Sequence, residues 1–214
     1  EALRGLRVGV CMGTTVGSAM NNEAFYAGYR DGETPEITPI NRFLGSNPAG
    51  VISRHFGFSG PTQTIVNACS SGTDAIGLAT SWIQCGLCDV VLAGGADELC
   101  RTTYNGFASL QISSTRLCRP FDAERTGLNL GEGAGVLVLE SDASARHRKV
   151  PAQGYILGYG SGTDGWHLTA PHPEGRGLKQ ALDEALRVSR IQPRQLGFVN
   201  THGTGTKDND RVES

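Results

Sequence analysis

The chain has 214 residues, of which 19 are Lys or Arg and 21 are Asp or Glu, for a formal charge of −2. That length holds one large domain or two small ones, and no basic run points to nucleic acid nor any charge block to a solvated tail. No apolar run reaches membrane-spanning length and no stretch reads as a secretion signal, so the six cysteines are expected as reduced thiols in the cytoplasm.

The opening Glu1-Ala2-Leu3-Arg4 lacks an initiator Met and enters an apolar strand over 7–12 almost at once, as an internal piece of a longer chain would. Residues 23–29 predict a helix, followed by a Pro-containing loop through Pro39. Asn47-Pro48, a capping residue followed by Pro at the first helical position, opens a helix over 47–56. After a turn at Gly60-Pro61 come strand 62–68, helix 71–85 and strand 89–94, which Gly94-Gly95-Ala96-Asp97 is expected to end in a loop. Residues 101–120 read as irregular or partly helical. Gly131-Glu132-Gly133-Ala134-Gly135 leads into strand 136–140, and Ser141–Arg148 makes a short helix. Strand 153–160, a loop rich in Gly, His and Pro, helix 176–189 and strand 196–201 complete the order. The alternation predicts an α/β protein with buried sheet.

Cys69 falls between the strand at 62–68 and the helix that begins near Ser71. Unpaired N–H groups and the dipole of a helix N-terminus favour an anion, and the thiolate is the nucleophilic form of cysteine. A second reading, a small buried core cysteine, stands beside this one. The run Phe198-Val199-Asn200-Thr201 delivers His202 into a Gly-rich turn in the same way. Val-Asn-Xaa precedes both residues, as it would in two similar half-domains aiming strand ends at one crevice. A His there could stabilise negative charge or move a proton, with Thr204 and Thr206 offering hydroxyls to the amides of an extended substrate arm. A turn residue capped by the following Thr is the equally simple alternative for His202.

Other motifs carry less. Cys85-Gly86-Leu87-Cys88 has zinc-like spacing but no matching second pair, and packing where a helix meets a strand accounts for it. The glycines at 131–135 run into a strand rather than a helix. They are therefore not a dinucleotide loop, and suit a strand passing close to another backbone or to an active-site floor. His167 and His172 have poor metal spacing, and His55 and His147 read as ordinary helix residues. Nothing in the pattern asks for a metal or a nucleotide cofactor.

Five motifs then stand in order: Asn67-Ala68-Cys69-Ser70-Ser71-Gly72, Gly94-Gly95-Ala96-Asp97, Arg119-Pro120-Phe121-Asp122, Gly131-Glu132-Gly133-Ala134-Gly135 and His202-Gly203-Thr204-Gly205-Thr206. In this order the chain resembles the β-ketoacyl-acyl carrier protein synthases, above all the elongating synthase II type and related polyketide ketosynthases. The resemblance implies a thiolase-like layered α/β/α/β/α fold, incomplete here. Residues 1–152 would be the N-terminal-half region with the nucleophile, and 153–214 the start of the C-terminal-half region with the first active-site His. It implies a homodimer whose partner is an acyl carrier protein bearing acyl and malonyl phosphopantetheine, with no nucleic acid or membrane and no cofactor. Cys69 would take the acyl chain as a thioester, its own N–H forming half of an oxyanion hole. His202 would assist decarboxylation of the malonyl group and stabilise the enolate. Thr204 and Thr206 would hold the phosphopantetheine arm, Val16 and Phe107 would line the acyl pocket, and Asp210 and Glu213 would form an acidic pair behind the His turn.

The second histidine, a lysine-bearing segment and a Gly-Phe-Gly-like loop of that family are not in this sequence, nor are its opening strands. The expectation is therefore a middle piece of a synthase about twice as long, which alone should not complete a condensation. Two alternatives to fatty acid elongation remain at this point. One is a polyketide ketosynthase. The other is a non-catalytic subunit that binds acyl chains or sets chain length, which Cys69 argues against because such subunits typically replace it. A Cys–His amidase or protease would need a third group orienting the His, and leaves the glycine loops and the threonine pair without a use.

Overall fold

The structure, a computed structural model, describes residues 3, 5–17, 19–45 and 47–214. Its contacts group the chain into two compact units, one running to Tyr104 and including Gly131–Gly154, the other made of Asn105–Leu130 and Tyr155–Ser214.

The first unit is built on a four-stranded sheet. Strand β1 (Val8–Gly13) is followed by helices α1 (Met20–Arg30), α2 (Thr38–Gly45) and α3 (Pro48–Phe56). Strand β2 (Thr62–Ile65), a single 3-10 turn at Ala68–Ser70, helix α4 (Ser71–Gln84) and strand β3 (Val90–Asp97) come next. After helix α5 (Arg101–Ser109), which begins in this unit, strand β4 (Gly133–Glu140) and helix α6 (Asp142–Arg148) close it. The strand order is β2-β1-β3-β4, with β1 parallel to both neighbours and β3 antiparallel to β4.

The alternation of β1 decides the layers. Cys11 joins Val91 and Ala93 under Ala75 and Ala79 of α4, while Val10 and Met12 pack with Ala49 of α3 on the opposite face. All six residues of β1 are buried, because it is central and covered on both sides. Asn47 caps α3 as expected, its side chain accepting the Gly50 N–H at 2.8 Å, and Ser141 caps α6 through Ser144 N–H at 3.1 Å.

Several sequence expectations change. Helix α2 begins at Thr38, inside the segment read as loop, because Pro39 lies in a first turn where a missing N–H costs nothing. The strand at 62–68 is only four residues long. Gly94-Gly95-Ala96-Asp97 does not end β3 in a loop but continues it, pairing with Gly133–Val136 of β4. A Cβ on Gly94 would lie against the Gly135 carbonyl oxygen. The two glycine runs thus let adjacent backbones approach rather than turn the chain.

The second unit carries the remainder of α5, helix α7 (Arg176–Ser189), a 3-10 turn at Pro193–Gln195 and helix α8 (Lys207–Glu213). The strands read at 153–160 and 196–201 are not assigned as strands: neither segment has a ladder partner among the described residues. The first still has strand-like spacing against α7. Gly158, Gly160 and Gly162 face the carbonyls of Ala185, Ala181 and Gly177. Two residues of extended chain advance about 6.6 Å and four residues of helix about 6 Å, so the glycines stay in step with the helix turns.

Candidate active site

Cys69 is exposed and lies in the single 3-10 turn that joins β2 to α4. The residue before it, Ala68, has φ of 48°, a left-handed conformation that costs a residue with a Cβ about 1–2 kcal/mol. That cost is met by a local network. The Ser71 hydroxyl accepts the Asn67 N–H at 2.6 Å and has two carbonyls to donate to, Ala68 at 2.7 Å and Thr14 at 3.1 Å. Asp74 accepts from the Asn67 side-chain amide at 2.7 Å and from the Ser70 hydroxyl at 3.0 Å. The turn is therefore tied both to the first turn of α4 and to the end of β1.

Glycine sets the height of this turn above the sheet. A Cβ on Gly13 would collide with the backbone of Ser71 and Gly72, and one on Gly95 would lie 3.5 Å from the Gly72 Cα. The start of α4 consequently sits directly on the ends of β1 and β3. The resulting pocket, about 320 Å³, is lined by Cys69 together with Thr14, Ser71, Asp97 and the Gly133–Gly135 backbone. Gly133 and Gly135 are thus beside Cys69 on a strand, the use that their position in the sequence suggests.

Asp97, quoted in the sequence only as part of a motif, organises the opposite wall. Its carboxylate accepts from the Thr14 hydroxyl at 3.0 Å, the Thr15 N–H at 2.7 Å and the Thr15 hydroxyl at 3.0 Å. Val16 follows this clasp and is half-buried, but it is not among the residues lining the pocket.

The second unit holds His202, Thr204, Thr206 and Phe107. His202 is exposed, and its backbone N–H donates to Glu213 at 2.8 Å while that of Gly203 donates to the other carboxylate oxygen at 2.9 Å. The backbone of the His turn is therefore held by Glu213 of α8. The hydroxyls of Thr204 and Thr206 bond each other at 2.8 Å. Asp210, 1% exposed, accepts the N–H groups of Phe121 at 2.7 Å and Gly205 at 3.1 Å. The Cys118 thiol donates to the Thr204 carbonyl at 3.2 Å. The Arg119-Pro120-Phe121-Asp122 motif and its neighbours therefore form the seat of the His turn. Phe107 is half-buried on α5.

Among the described residues no group of three or more His, Cys, Asp or Glu side chains could hold a metal ion, and no helix is long and apolar enough to cross a membrane. His172 is buried in the second unit, edge-on to Trp166, with its Nδ1 accepting the Glu174 N–H. Cys88 is buried and Cys85 exposed at either end of their short motif; burial pushes the Cys88 thiol up.

Residues 1–145 match the β-ketoacyl synthase N-terminal domain and residues 153–214 its C-terminal domain. The chain belongs to the β-ketoacyl synthase family. Relatives include 3-oxoacyl-acyl carrier protein synthase 2 of Synechocystis, 34% identical over 97% of this chain and 52% of that protein. The Staphylococcus aureus synthase 2 is also 34% identical, over 97% of this chain and 53% of that protein. A solved complex of a type II polyketide synthase acyl carrier protein with its ketosynthase bound to the hexaketide superposes with a TM-score of 0.91. It is 28% identical and covers 99% of this chain and 56% of that one. The fold is thus the thiolase-like one of ketosynthases. The chain spans about half the length of the curated relatives it matches.

Proposed function

We propose that the protein condenses an acyl thioester with malonyl-acyl carrier protein in fatty acid elongation, through an acyl-Cys69 intermediate. The observation that carries this is Cys69 on a strained, tightly bonded turn at the start of α4, facing a pocket in a β-ketoacyl synthase fold. The Cys69 thiolate attacks the carbonyl carbon of the carrier-borne acyl thioester, and the phosphopantetheine sulfur leaves as thiolate. Malonyl-carrier protein then loses carbon dioxide. The resulting carbanion attacks the acyl carbon, and the Cys69 sulfur departs as thiolate. The Cys69 N–H supplies one donor to the oxyanion of each addition step. His202 stabilises the enolate formed on decarboxylation, Thr204 and Thr206 bind the phosphopantetheine arm, and Val16 and Phe107 contact the acyl chain. The working protein is a homodimer in the cytoplasm, served by an acyl carrier protein.

Likeness to the type II polyketide ketosynthase supports polyketide extension as a second reading of the same chemistry. Incubating the full-length protein with an acyl-carrier thioester and mapping the modified residue by mass spectrometry tests both. Acyl mass on Cys69, lost in Cys69→Ala, is expected. Transfer to no cysteine would remove the condensing reading.

A further inference from the structure

We propose that Arg125 is a positioning residue for the Thr204–Thr206 pair, fixing where the two hydroxyls meet the phosphopantetheine arm of a carrier-borne thioester. The inference rests on the condensing reading above and adds a determinant of substrate-arm affinity to that site.

The Arg125 side chain is 18% exposed and lies 3.5 Å from the Oδ2 of Asp210, whose side chain is 1% exposed. Its guanidinium donates through Nε to the Thr206 carbonyl at 3.2 Å, through Nη2 to the Lys207 carbonyl at 2.9 Å and through Nη1 to the Asp122 carbonyl at 3.0 Å. Asp210 in turn accepts the N–H of Gly205. The backbone is therefore gripped on both sides of Thr206 by one buried ion pair. Thr206 also donates its N–H to the Thr204 hydroxyl at 3.4 Å, and the two hydroxyls bond at 2.8 Å. Whatever moves the backbone at Thr206 moves both hydroxyls.

Stability alone is a weak reason for this arrangement. A buried ion pair often contributes nothing net compared with apolar residues of the same volume, because desolvation offsets the attraction. What a guanidinium supplies is a rigid planar fork whose N–H directions are fixed relative to one another. Here the fork holds carbonyls from two chain segments more than 80 residues apart in sequence. A lysine could restore the charge opposite Asp210, but its single ammonium cannot hold the same three carbonyls in one plane. Binding groups need placement to within about 0.5 Å, so loss of the fork is read in affinity for the arm before it is read in folding.

The test uses Arg125→Lys and Arg125→Gln in the full-length protein. Acyl transfer to Cys69 is followed from short- to medium-chain acyl-pantetheine thioesters, and iodoacetamide alkylation of Cys69 serves as a control that does not use the arm. KM for the thioesters should rise about 10-fold in Arg125→Gln and about 5-fold in Arg125→Lys, with the alkylation rate within about 2-fold of the parent. A purely structural role would lower the melting temperature while KM of the folded protein stayed unchanged. Unchanged KM in either folded variant overturns the proposal. Should Arg125→Gln fail to fold, Arg125→Lys decides alone, since it keeps the charge beside Asp210. If the parent itself transfers no acyl group to Cys69, the condensing reading falls and takes this inference with it; transfer with unchanged KM removes the inference only.

Discussion

Replacing Ser71 by alanine tests how the Cys69 turn is held. Ser71 is 2% exposed, and its hydroxyl accepts the Asn67 N–H at 2.6 Å while donating to the Ala68 or Thr14 carbonyl. Alanine keeps the backbone and removes both bonds. The donated bond is worth about 1 kcal/mol net, and a partly buried Asn67 N–H left without its acceptor costs a further 1–2 kcal/mol or so. A loss of about 2–3 kcal/mol is a large share of a typical stability of 5–15 kcal/mol. With a urea dependence of about 2 kcal/mol per molar, the unfolding midpoint should fall by roughly 1–1.5 M. Ala68 is left-handed and its carbonyl is one of the two hydroxyl acceptors, so the turn should relax as well. The iodoacetamide alkylation rate of Cys69 in the still-folded variant should then change by about 3-fold or more. Urea titration followed by circular dichroism gives the first quantity and timed mass mapping the second. A midpoint shift below about 0.3 M with an unchanged alkylation rate would refute the reasoning.

Two further outcomes follow from other thiols and carboxyls. In the native protein at about pH 8, iodoacetamide should label the exposed Cys69 and Cys85. Cys11 should stay unlabelled until denaturant is added, since burial pushes its thiol up to about 11 and closes access; early labelling of Cys11, seen by peptide mass mapping, would contradict the packing of β1. The N–H groups of His172 and Gly177, at 2.8 and 2.6 Å, hold the Asp164 carboxyl below the usual carboxylate range. Its stabilisation is therefore complete above the unfolded value of about 4 and is lost as pH falls through the lowered folded value. Asp164→Asn should depress the melting temperature at about pH 7 and do so less at about pH 3; an equal depression at both would show that charge is not involved.

The fold was legible wherever the signal is local. Asn47-Pro48 opens α3 as its residues dictate, and the apolar spacing of α4 and α7 marks both helices. Pro39 misleads because the same residue type breaks a helix in its interior and suits its first turn; the loop or helix decision at 38–45 depends on what α2 packs against, which is α1. Gly94 and Gly95 mislead in the same manner, since a glycine pair marks a turn or a close strand pairing and only the position of β4 decides between them. Residues 153–160 read as a strand because they are extended with glycines in alternation. Extension is a property of the segment, whereas a ladder needs a partner, and here the neighbour is the backbone of α7.

The site divides along the same line. Cys69 and the His202 turn were visible because each sits in a short run whose residue types already describe the turn. Ser71 was visible as part of such a run, but its role depends on Thr14, 57 residues away. Arg125 gave no local signal at all. It stands among ordinary loop residues, and two of its carbonyl acceptors lie 81 and 82 residues further along the chain. The candidate site residues are thus written in adjacent residues, while the groups that hold them still are written in tertiary distance. The consequence is specific to this chain: a variant that disturbs chemistry without touching a motif is to be sought at Arg125 and Asp210. The Arg125 guanidinium and the Asp210 carboxylate fix backbone that the motif residues Thr206 and Gly205 occupy. If substitutions there left acyl transfer and its KM unchanged in folded protein, the motifs would be self-sufficient and this division of labour would be wrong.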